Sequence, residues 1–460
     1  MLELKGKKVL VVGLGKSGLA AALFLRRRGA HVTVSDVRSA EALAKDIPAL
    51  LDEGIMVETG GHGLLTFRRQ DLIVVSPGVP LNTPELAQVK SFGLPVIGEL
   101  ELAARFLKGR TLAITGSNGK TTTTALVGEI LGKAGIPTLV GGNIGVPVVG
   151  LIDQSTDETW SVLEVSSFQL ETTERFHPSI AVILNITPDH LDRHGSFENY
   201  ARAKERIFAA QDEHDCVVLN ADNARAAEAA ARSAAKVYWF SIEHPVEQGA
   251  WVEDGFVVYR PASDASVKSI MPLRGIPLKG AHNVENVLAA VCAARLADVP
   301  AEVIRQAIEG FQAVEHRLEY VATINGVEYY NDSKATNVDA TAKAVASFLS
   351  GIHLILGGKD KGSDYTQLAQ LLRARVRAVY TIGSAAAKIE SQLRGIVSIL
   401  SCETLENAVS AAASAARPGE VGLLAPACSS FDQFENYEQR GRVCMELVSE
   451  RRGGKVWQNG

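Results

Sequence analysis

Cysteine, aromatic residues and long apolar runs are all scarce in this 460-residue chain. The five cysteines, Cys216, Cys292, Cys402, Cys428 and Cys444, are spaced too widely and irregularly for a disulfide framework or a zinc site. Reduced thiols in a cytoplasmic protein are therefore expected. No stretch is long and apolar enough to cross a bilayer, so no membrane insertion is expected. The nearest approach, KGKKVLVVGLGKSGLAAALF from Lys5, has the basic-then-apolar order of a signal peptide, but Lys16 and Ser17 interrupt it. An excess of one charge is also missing. The net charge is −5, the signs are interspersed, and no basic run exceeds Arg26-Arg27-Arg28. This argues against nucleic acid or a membrane surface as partner. A soluble enzyme is the natural class, too long for one core and expected to divide into two to four domains.

Short uninterrupted apolar runs recur along the chain: KVLVVG, LIVVSPG, TLAITG, SVLEVS, AVILNI, CVVLNA, HLILGG, AVYTIG and VGLLAP. Runs of that kind read as parallel strands buried on both faces. Alanine-rich segments, Asp222 to Lys236 and Glu406 to Arg417, read as covering helices, the latter stopped by Pro418-Gly419. The expected fold class is α/β in three domains, each an open, mainly parallel sheet with helices, over 1–98, 99–313 and 314–460. GELELAARF from Gly98 reads as a junction helix. Ala250 to Arg260 reads as an antiparallel hairpin at a sheet edge, and Asn325-Gly326 as the turn of a second hairpin.

The most informative stretch is TLAITGSNGKTTTT, residues 111–124, in which a strand runs into Gly116, Ser117, Asn118, Gly119, Lys120, Thr121 and Thr122. Small residues let backbone N–H groups face an anion, the lysine supplies charge for the outer phosphates, and the next hydroxyl can hold Mg²⁺. The usual GxxxxGK[ST] spacing is not met, because Ile114 stands where its first glycine belongs. An ordinary turn with an exposed lysine is the bland alternative, but strand, loop, GKT and helix occur together.

Gly13-x-Gly15-x-x-Gly18 follows another strand, and Asp36 ends the next one. Alone this would suit a nicotinamide or flavin, with Asp36 on a ribose hydroxyl. A second phosphate site in the chain points instead to a nucleotide-diphosphate substrate, while close packing is the bland explanation. Ser76-Pro77-Gly78 would face the same crevice, though an ordinary turn explains it nearly as well. Glu164 ends a strand beside the phosphate loop, where Mg²⁺ needs a hard oxygen ligand. Asp189, His190, Asp192 and His194 crowd one loop without transition-metal spacing, and Mg²⁺ ligation with charge balance explains them better. Lys204 alone reads as a solvated helix lysine. Asn283 and Asn286, three apart, could read an adenine edge or cap a helix. His316-Arg317 stand at a domain junction. In the third domain NDSKATN (332–337), GGKDKG (Lys359, Lys361) and ACSSFDQF (Ser429, Ser430, Phe431) bring lysines and hydroxyls that suit a small carboxylate-bearing substrate such as an amino acid.

Taken in order, GLGKSG, SPG, TGSNGKTT, GGNIG, LEVSSFQLE, NITPDHLDRH, the ARAK lysine, GAHNVEN, HRLE, NDSKATN and PACSSFDQFENYEQRG resemble the Mur ligase family over essentially the whole chain. The resemblance implies a Rossmann-like N-terminal domain for a UDP-linked substrate, a phosphate-loop central ATPase and a Rossmann-like C-terminal domain for an amino acid. SKATN and SSFDQF imply the branch that joins D-glutamate to UDP-N-acetylmuramoyl-L-alanine (UDP-MurNAc-L-Ala), using ATP and two Mg²⁺ ions; a cytoplasmic monomer is expected. By the same resemblance Lys120 and Thr121 bind triphosphate and Mg²⁺, Glu164 and His190 hold metal, and Lys204 is carbamylated beside a second ion. Asn286, Arg317 and Asp332 hold ATP. Ser17, Asp36, Arg38, Ser76, Asn143, Ser166 and His190 contact the UDP-sugar. Lys334, Thr336, Lys361, Ser430 and Tyr437 surround D-glutamate, with Tyr437 replacing an expected phenylalanine.

Overall fold

All nine apolar runs form strands in the computed structural model, which describes residues 2–312 and 315–451. Two compact units result. One holds the chain up to Ile186 with Ser196–Gly275 and Glu285–Gly310; the other holds Thr187–Gly195, Ile276–Val284 and the chain from Phe311 on.

The first unit contains two sheets. One comprises β1 (Lys8–Val12), β2 (His31–Asp36), β3 (Met56–Thr59), β4 (Leu72–Val75) and β5 (Val96–Gly98), all parallel in the order β3-β2-β1-β4-β5. The second comprises β6 (Arg110–Thr115), β7 (Thr138–Gly142), β8 (Trp160–Glu164), β9 (Ile180–Ile183), β10 (Cys216–Asn220), β11 (Lys236–Ser241), β12 (Gly249–Glu253), β13 (Phe256–Arg260) and β14 (Lys268–Pro272). Its order is β14-β13-β12-β11-β10-β9-β6-β8-β7. The hairpin at Ala250 to Arg260 is β12–β13, and β14 extends it antiparallel as the outermost strand.

The second unit carries β15 (Glu319–Ile324), β16 (Val327–Asn331), β17 (Ile352–Gly357), β18 (Val376–Ile382), β19 (Ser398–Glu403) and β20 (Val421–Leu424), ordered β15-β16-β20-β17-β18-β19. Only β15 is antiparallel here, joined to β16 through Asn325 (φ 51°) and Gly326 (φ 80°). Both turn residues are left-handed, as an Asn-Gly hairpin requires. The three sheets make this a three-domain α/β protein. The expected boundary at 313/314 falls outside the described residues.

Glu99–Ala104 is helical as expected, and Leu405–Ala415 ends before Pro418. Asp222 to Lys236 is not one helix. It breaks into Ala224–Ala227 and the 3-10 turn Glu228–Arg232. Alanine favours helix locally, but Arg225 and Arg232 both reach the buried Glu205 carboxylate. That tertiary ion-pair cluster overrides weak propensity.

Strand order positions the candidate site. Open α/β sheets bind ligands beyond the strand carboxyl ends, where the order reverses. In the first sheet that point lies between β1 and β4, and in the second beside β6, flanked by β8 and β9. In the third, the adjacent parallel strands β16, β20 and β17 send the segments from Asp332, Ala425 and Gly358 to one edge.

Candidate active site

The loop after β6 is held by the residue after β9 that follows Leu184. Asn185 accepts Ser117 N–H at its carbonyl (2.9 Å) and Asn118 N–H at Oδ1 (2.9 Å), and its Nδ2 donates to the Asn118 carbonyl (3.2 Å). Gly119 has φ 88°, and a Cβ there would stand 2.2 Å from Asn286 Oδ1, so only glycine lets Asn286 pack on the loop. The helix Lys120–Lys133 then begins. Lys120 Nζ donates to the carbonyls of Gly116 (2.8 Å) and Ser117 (3.0 Å). Lys204, only 1% exposed, donates to the same Gly116 carbonyl at 2.8 Å and lies over the Tyr200 ring. Tyr200 in turn shares a 3.0 Å hydrogen bond with Ser117 Oγ. A solvated helix lysine, the bland reading of Lys204, is therefore wrong.

Glu164, at the end of β8 and 1% exposed, accepts the Thr121 hydroxyl on Oε2 and Asn143 Nδ2 on Oε1, both at 2.8 Å. Gly116–Thr121, Asn143, Glu164, Lys204 and Asn286 thus form one cluster. Thr122 is buried in the helix that follows. Ser166 caps the helix Ser167–Leu170 in a capping box with Gln169, which occupies its hydroxyl. The donor set fits a magnesium nucleotide. Two lysine ammonium groups converge on one loop carbonyl, and a hydroxyl and a carboxylate supply hard oxygens.

At the first sheet's reversal point Ser76 Oγ donates to the Gly13 carbonyl at 2.6 Å. A Cβ on Gly18 would stand 1.9 Å from that carbonyl, so the glycine serves close packing here. Ser17 lies half-buried in the first turn of the helix Lys16–Arg27. Asp36 is buried and its oxygens are occupied, Oδ2 by Leu14 N–H (2.7 Å) and Oδ1 by Arg38 N–H (2.8 Å), with the Arg38 guanidinium on both. Although burial pushes the carboxyl up, these partners bring it down to about 2. Asp36 therefore ties the glycine loop to Arg38, whose side chain remains half exposed.

A depressed carboxyl stabilises the fold above its ordinary 3.8 and loses that contribution as pH falls through about 2. Asp36→Ala is expected to cost about 1–2 kcal/mol at pH 7, a figure kept low because Arg38 is solvent-screened. Urea unfolding at pH 7 and at pH 3 checks this, the gap narrowing at the lower pH. An equal gap at both would assign the loss to packing.

In the second unit His190 adopts φ 53°, before the short helix Leu191–His194. Asp189 accepts the His190 N–H on Oδ1 (2.9 Å) and Asn337 Nδ2 on Oδ2 (3.1 Å), and Lys361 Nζ lies 3.8 Å from Oδ1. The groupings of three or more His, Cys, Asp or Glu close enough to share an ion among the described residues are His177, Asp212, Asp215 and Asp222, Glu243, His244. Neither involves the 189–194 loop.

Arg317 sits between two left-handed residues, His316 (φ 64°) and Leu318 (φ 40°), a strained arrangement of the kind that collects at functional sites. Among the described residues its buried Nε has no hydrogen-bond partner. Burial pushes the Asp332 carboxyl up to about 7, against the opposing pull of Arg317, the Leu318 N–H and Lys334. A buried guanidinium nitrogen left unbonded suits an anionic ligand. Asn283 Nδ2 donates to the Lys279 carbonyl at 2.7 Å, at the start of its helix.

Lys334 Nζ donates to the Tyr437 hydroxyl at 3.1 Å and lies 4.9 Å from the ring centroid. Tyrosine in place of the expected phenylalanine thus adds a polar contact to Lys334. Thr336 N–H donates to the Lys334 carbonyl, and Ser430 is 2% exposed in the segment after β20. Lys359 and Ser429 are bridged by paired backbone hydrogen bonds, which joins the segments after β17 and β20.

Sequence reading missed Asn185, Tyr200 and Arg440. Asn185 stands two residues past the end of β9 and was findable from that position. Arg440 was not. Fully buried, it donates to the Ser333 hydroxyl (3.0 Å) and carbonyl (2.8 Å) and to the Cys428 carbonyl (3.2 Å). It thereby ties the segments after β16 and β20 together, and burial pushes its guanidinium down to about 10.

Family models match along the chain: "Mur ligase MurD-like, N-terminal domain" over 7–98, "Mur ligase middle domain" over 114–294 and "Mur ligase, glutamate ligase domain" over 316–428. A phosphate-loop α/β protein of three sheets with these matches belongs to the Mur ligase family. Within it, the chain is similar to UDP-N-acetylmuramoylalanine--D-glutamate ligase of Acidobacterium capsulatum, 70% identical over 100% of this chain and 99% of that one. The same-named protein of Koribacter versatilis is 61% identical over 97% and 98%. Among solved structures, a pseudomurein peptide ligase type C from Methanothermus fervidus aligns with TM-score 0.60 at 21% identity, covering 97% of this chain and 100% of that one. MurF ligase from Thermotoga maritima in complex with ADP aligns with TM-score 0.60 at 16% identity, covering 92% and 96%. These two similarities concern the fold alone.

Proposed function

We infer that this protein is an ATP-dependent ligase that joins D-glutamate to UDP-N-acetylmuramoyl-L-alanine in peptidoglycan precursor synthesis. The observation that carries the reading is the cluster of Lys120, Lys204, Thr121 and Glu164 on the phosphate loop of a chain 70% identical to a protein of that name. A carboxylate is a poor acyl donor. Transfer of the γ-phosphoryl group to the terminal alanine carboxylate makes an acyl phosphate, and attack by the D-glutamate amine then expels phosphate through a tetrahedral intermediate. Such transfer needs positioning and charge neutralisation above all.

In this reading residues 1–98 take the UDP-sugar, 99–313 take ATP and 314–460 take D-glutamate. Lys120 neutralises the outer phosphates, aided by Gly116, Ser117, Asn118, Gly119 and Thr122. Thr121, Glu164, His190 and a carbamylated Lys204 would hold two Mg²⁺ ions, which supply further charge neutralisation when bound. Asn286, Arg317 and Asp332 complete the ATP contacts. Arg38, oriented by Asp36, offers a cation to the UDP-sugar beside Ser17, Ser76, Asn143, Ser166 and His190. Lys334, Thr336, Lys361, Ser430 and Tyr437 receive D-glutamate, Lys334 and Lys361 meeting its carboxylates. The acting species is a cytoplasmic monomer, and no helix among the described residues is long and apolar enough to cross a membrane.

Incubation with ATP, Mg²⁺, UDP-N-acetylmuramoyl-L-alanine and D-glutamate is expected to give ADP, phosphate and one amide product. Phosphate release indifferent to D-glutamate would overturn the reading. An amino-acid panel in the same assay separates it from a ligase adding a different residue.

A further inference from the structure

The junction helix Glu99–Ala104 buries two carboxylates that the reaction does not use. Glu99 is 1% exposed and Glu101 0%. A buried carboxylate needs N–H groups in place of water. Glu101 has them in full: the N–H groups of Glu174, Arg175 and Phe176 at 2.8, 2.9 and 3.1 Å, and Arg105 Nε at 2.9 Å. Glu99 is less well served. Its Oε1 accepts the Val149 N–H at 2.8 Å, the Val148 N–H also acts on the carboxyl, and the buried Oε2 has no hydrogen-bond partner among the described residues.

Those N–H groups open the 3-10 helix Val148–Gln154. Directly before it comes the turn closed by Gly142 N–H on the Val146 carbonyl at 2.8 Å. That turn carries Asn143, which is bonded to Glu164 twice, N–H to carbonyl and Nδ2 to Oε1, each at 2.8 Å. We propose that Glu99 is a positioning residue whose ionised carboxylate holds the Asn143 turn against Glu164, so that the UDP-sugar binds most tightly once Glu99 has lost its proton. The inference rests on the reading of Asn143 as a substrate contact. Two N–H groups bond an ionised carboxylate more strongly than a neutral acid, so protonation slackens the turn.

Burial pushes the Glu99 carboxyl up to about 7, against the pull of those N–H groups, which brings its titration into the working range. The elements packed most closely on the junction helix are β4, β5, Ser167–Leu170, Lys16–Arg27 and Val148–Gln154, while the segment 174–176 bonds Glu101, its Glu174 carboxylate paired with Arg105 at 3.3 Å. The first three bring no ionisable side chain. Lys16–Arg27 brings Lys16, Arg26 and Arg27. Arg26 donates to the Glu53 carbonyl, and Arg27 pairs with Asp153 of the 3-10 helix at 3.7 Å, as does Arg28 at 2.9 Å. None of these contributes to the Glu99 shift.

Glu99→Gln keeps length and a carbonyl acceptor but cannot ionise. In the wild type, KM for UDP-N-acetylmuramoyl-L-alanine is expected to rise about threefold to tenfold between about pH 8.5 and pH 6. In Glu99→Gln it stays at the low-pH value throughout. A raised carboxyl gives stability that is fully present below its ordinary 4.5 and lost as pH rises through about 7. The variant should therefore melt higher than wild type at pH 8, by roughly 2–5 °C, and level with it near pH 5. A merely structural role predicts a less stable variant impaired alike at every pH. The inference is overturned by a variant whose KM keeps the wild-type pH profile. Without any variant, calorimetry of the UDP-sugar binding wild type at pH 7 in two buffers should detect proton release, and none would equally overturn it. Absent UDP-sugar binding or turnover by wild type is a different result, and counts against the assigned activity.

Discussion

Lys120→Ala abolishes turnover, by at least about 10²–10³-fold, and leaves the unfolding transition within about 1 kcal/mol of wild type; that is the largest effect expected. Among the lysine's partners are the Gly116 and Ser117 carbonyls at 2.8 and 3.0 Å, groups of the loop itself. Losing a half-exposed ammonium from its own loop removes little packing, because Asn185, Asn286 and the glycines hold the loop's shape. What it removes is positive charge where charge builds up in phosphoryl transfer. The readout is steady-state ADP formation beside a urea titration. Retained activity would refute the role given to Lys120, whereas a large loss of stability would make the result one of folding.

Lys204→Ala is expected to cost about 10²-fold in turnover, and its rescue pattern tells what the lysine carries. The side chain is 1% exposed and donates to the Gly116 carbonyl at 2.8 Å. A carbamylated lysine keeps one N–H on the same nitrogen, so this hydrogen bond suits either form. The forms differ beyond the nitrogen, one ending in a cation and the other in an anionic group able to face Mg²⁺. If the lysine is carbamylated, formate or acetate restores part of the variant's activity and methylamine does not. Rescue by the amine alone would assign the function to the ammonium. A fully active variant would remove Lys204 from the site.

Much of the fold was legible because burial on both faces writes itself into composition. VLVV, IVV, LAIT and LIL have no polar face to show, and a strand covered by helices on both sides needs none. The weaker elements were not legible. Lys268–Pro272 joins a sheet as its outermost strand, and an edge strand with one covered face lacks the uninterrupted run. The alanine-rich stretch after Asp222 carried a helix signal that the ion pairs on Glu205 overruled.

The candidate site divides the same way. Residue types at strand ends, Lys120, Glu164 and Lys334 among them, could be named from sequence because their chemistry and their place after an apolar run are both local. Partners could not. Asp36 stands at a strand end in the sequence, and only the fold shows that its oxygens accept from Leu14 and Arg38. Arg440 and Glu99 bond backbone groups, and a backbone group leaves no mark on sequence.

By itself, then, the sequence determined the class of fold, the phosphate loop and the family, since these follow from local pattern and collinear motifs. Only the tertiary structure decided that Lys204 meets the same carbonyl as Lys120, that Arg440 joins two loops, and that Glu99 is out of water beside the Asn143 turn. The physical reason is that strand order and crossovers bring together residues as far apart as Gly116 and Lys204, and burial then sets their charge and bonding.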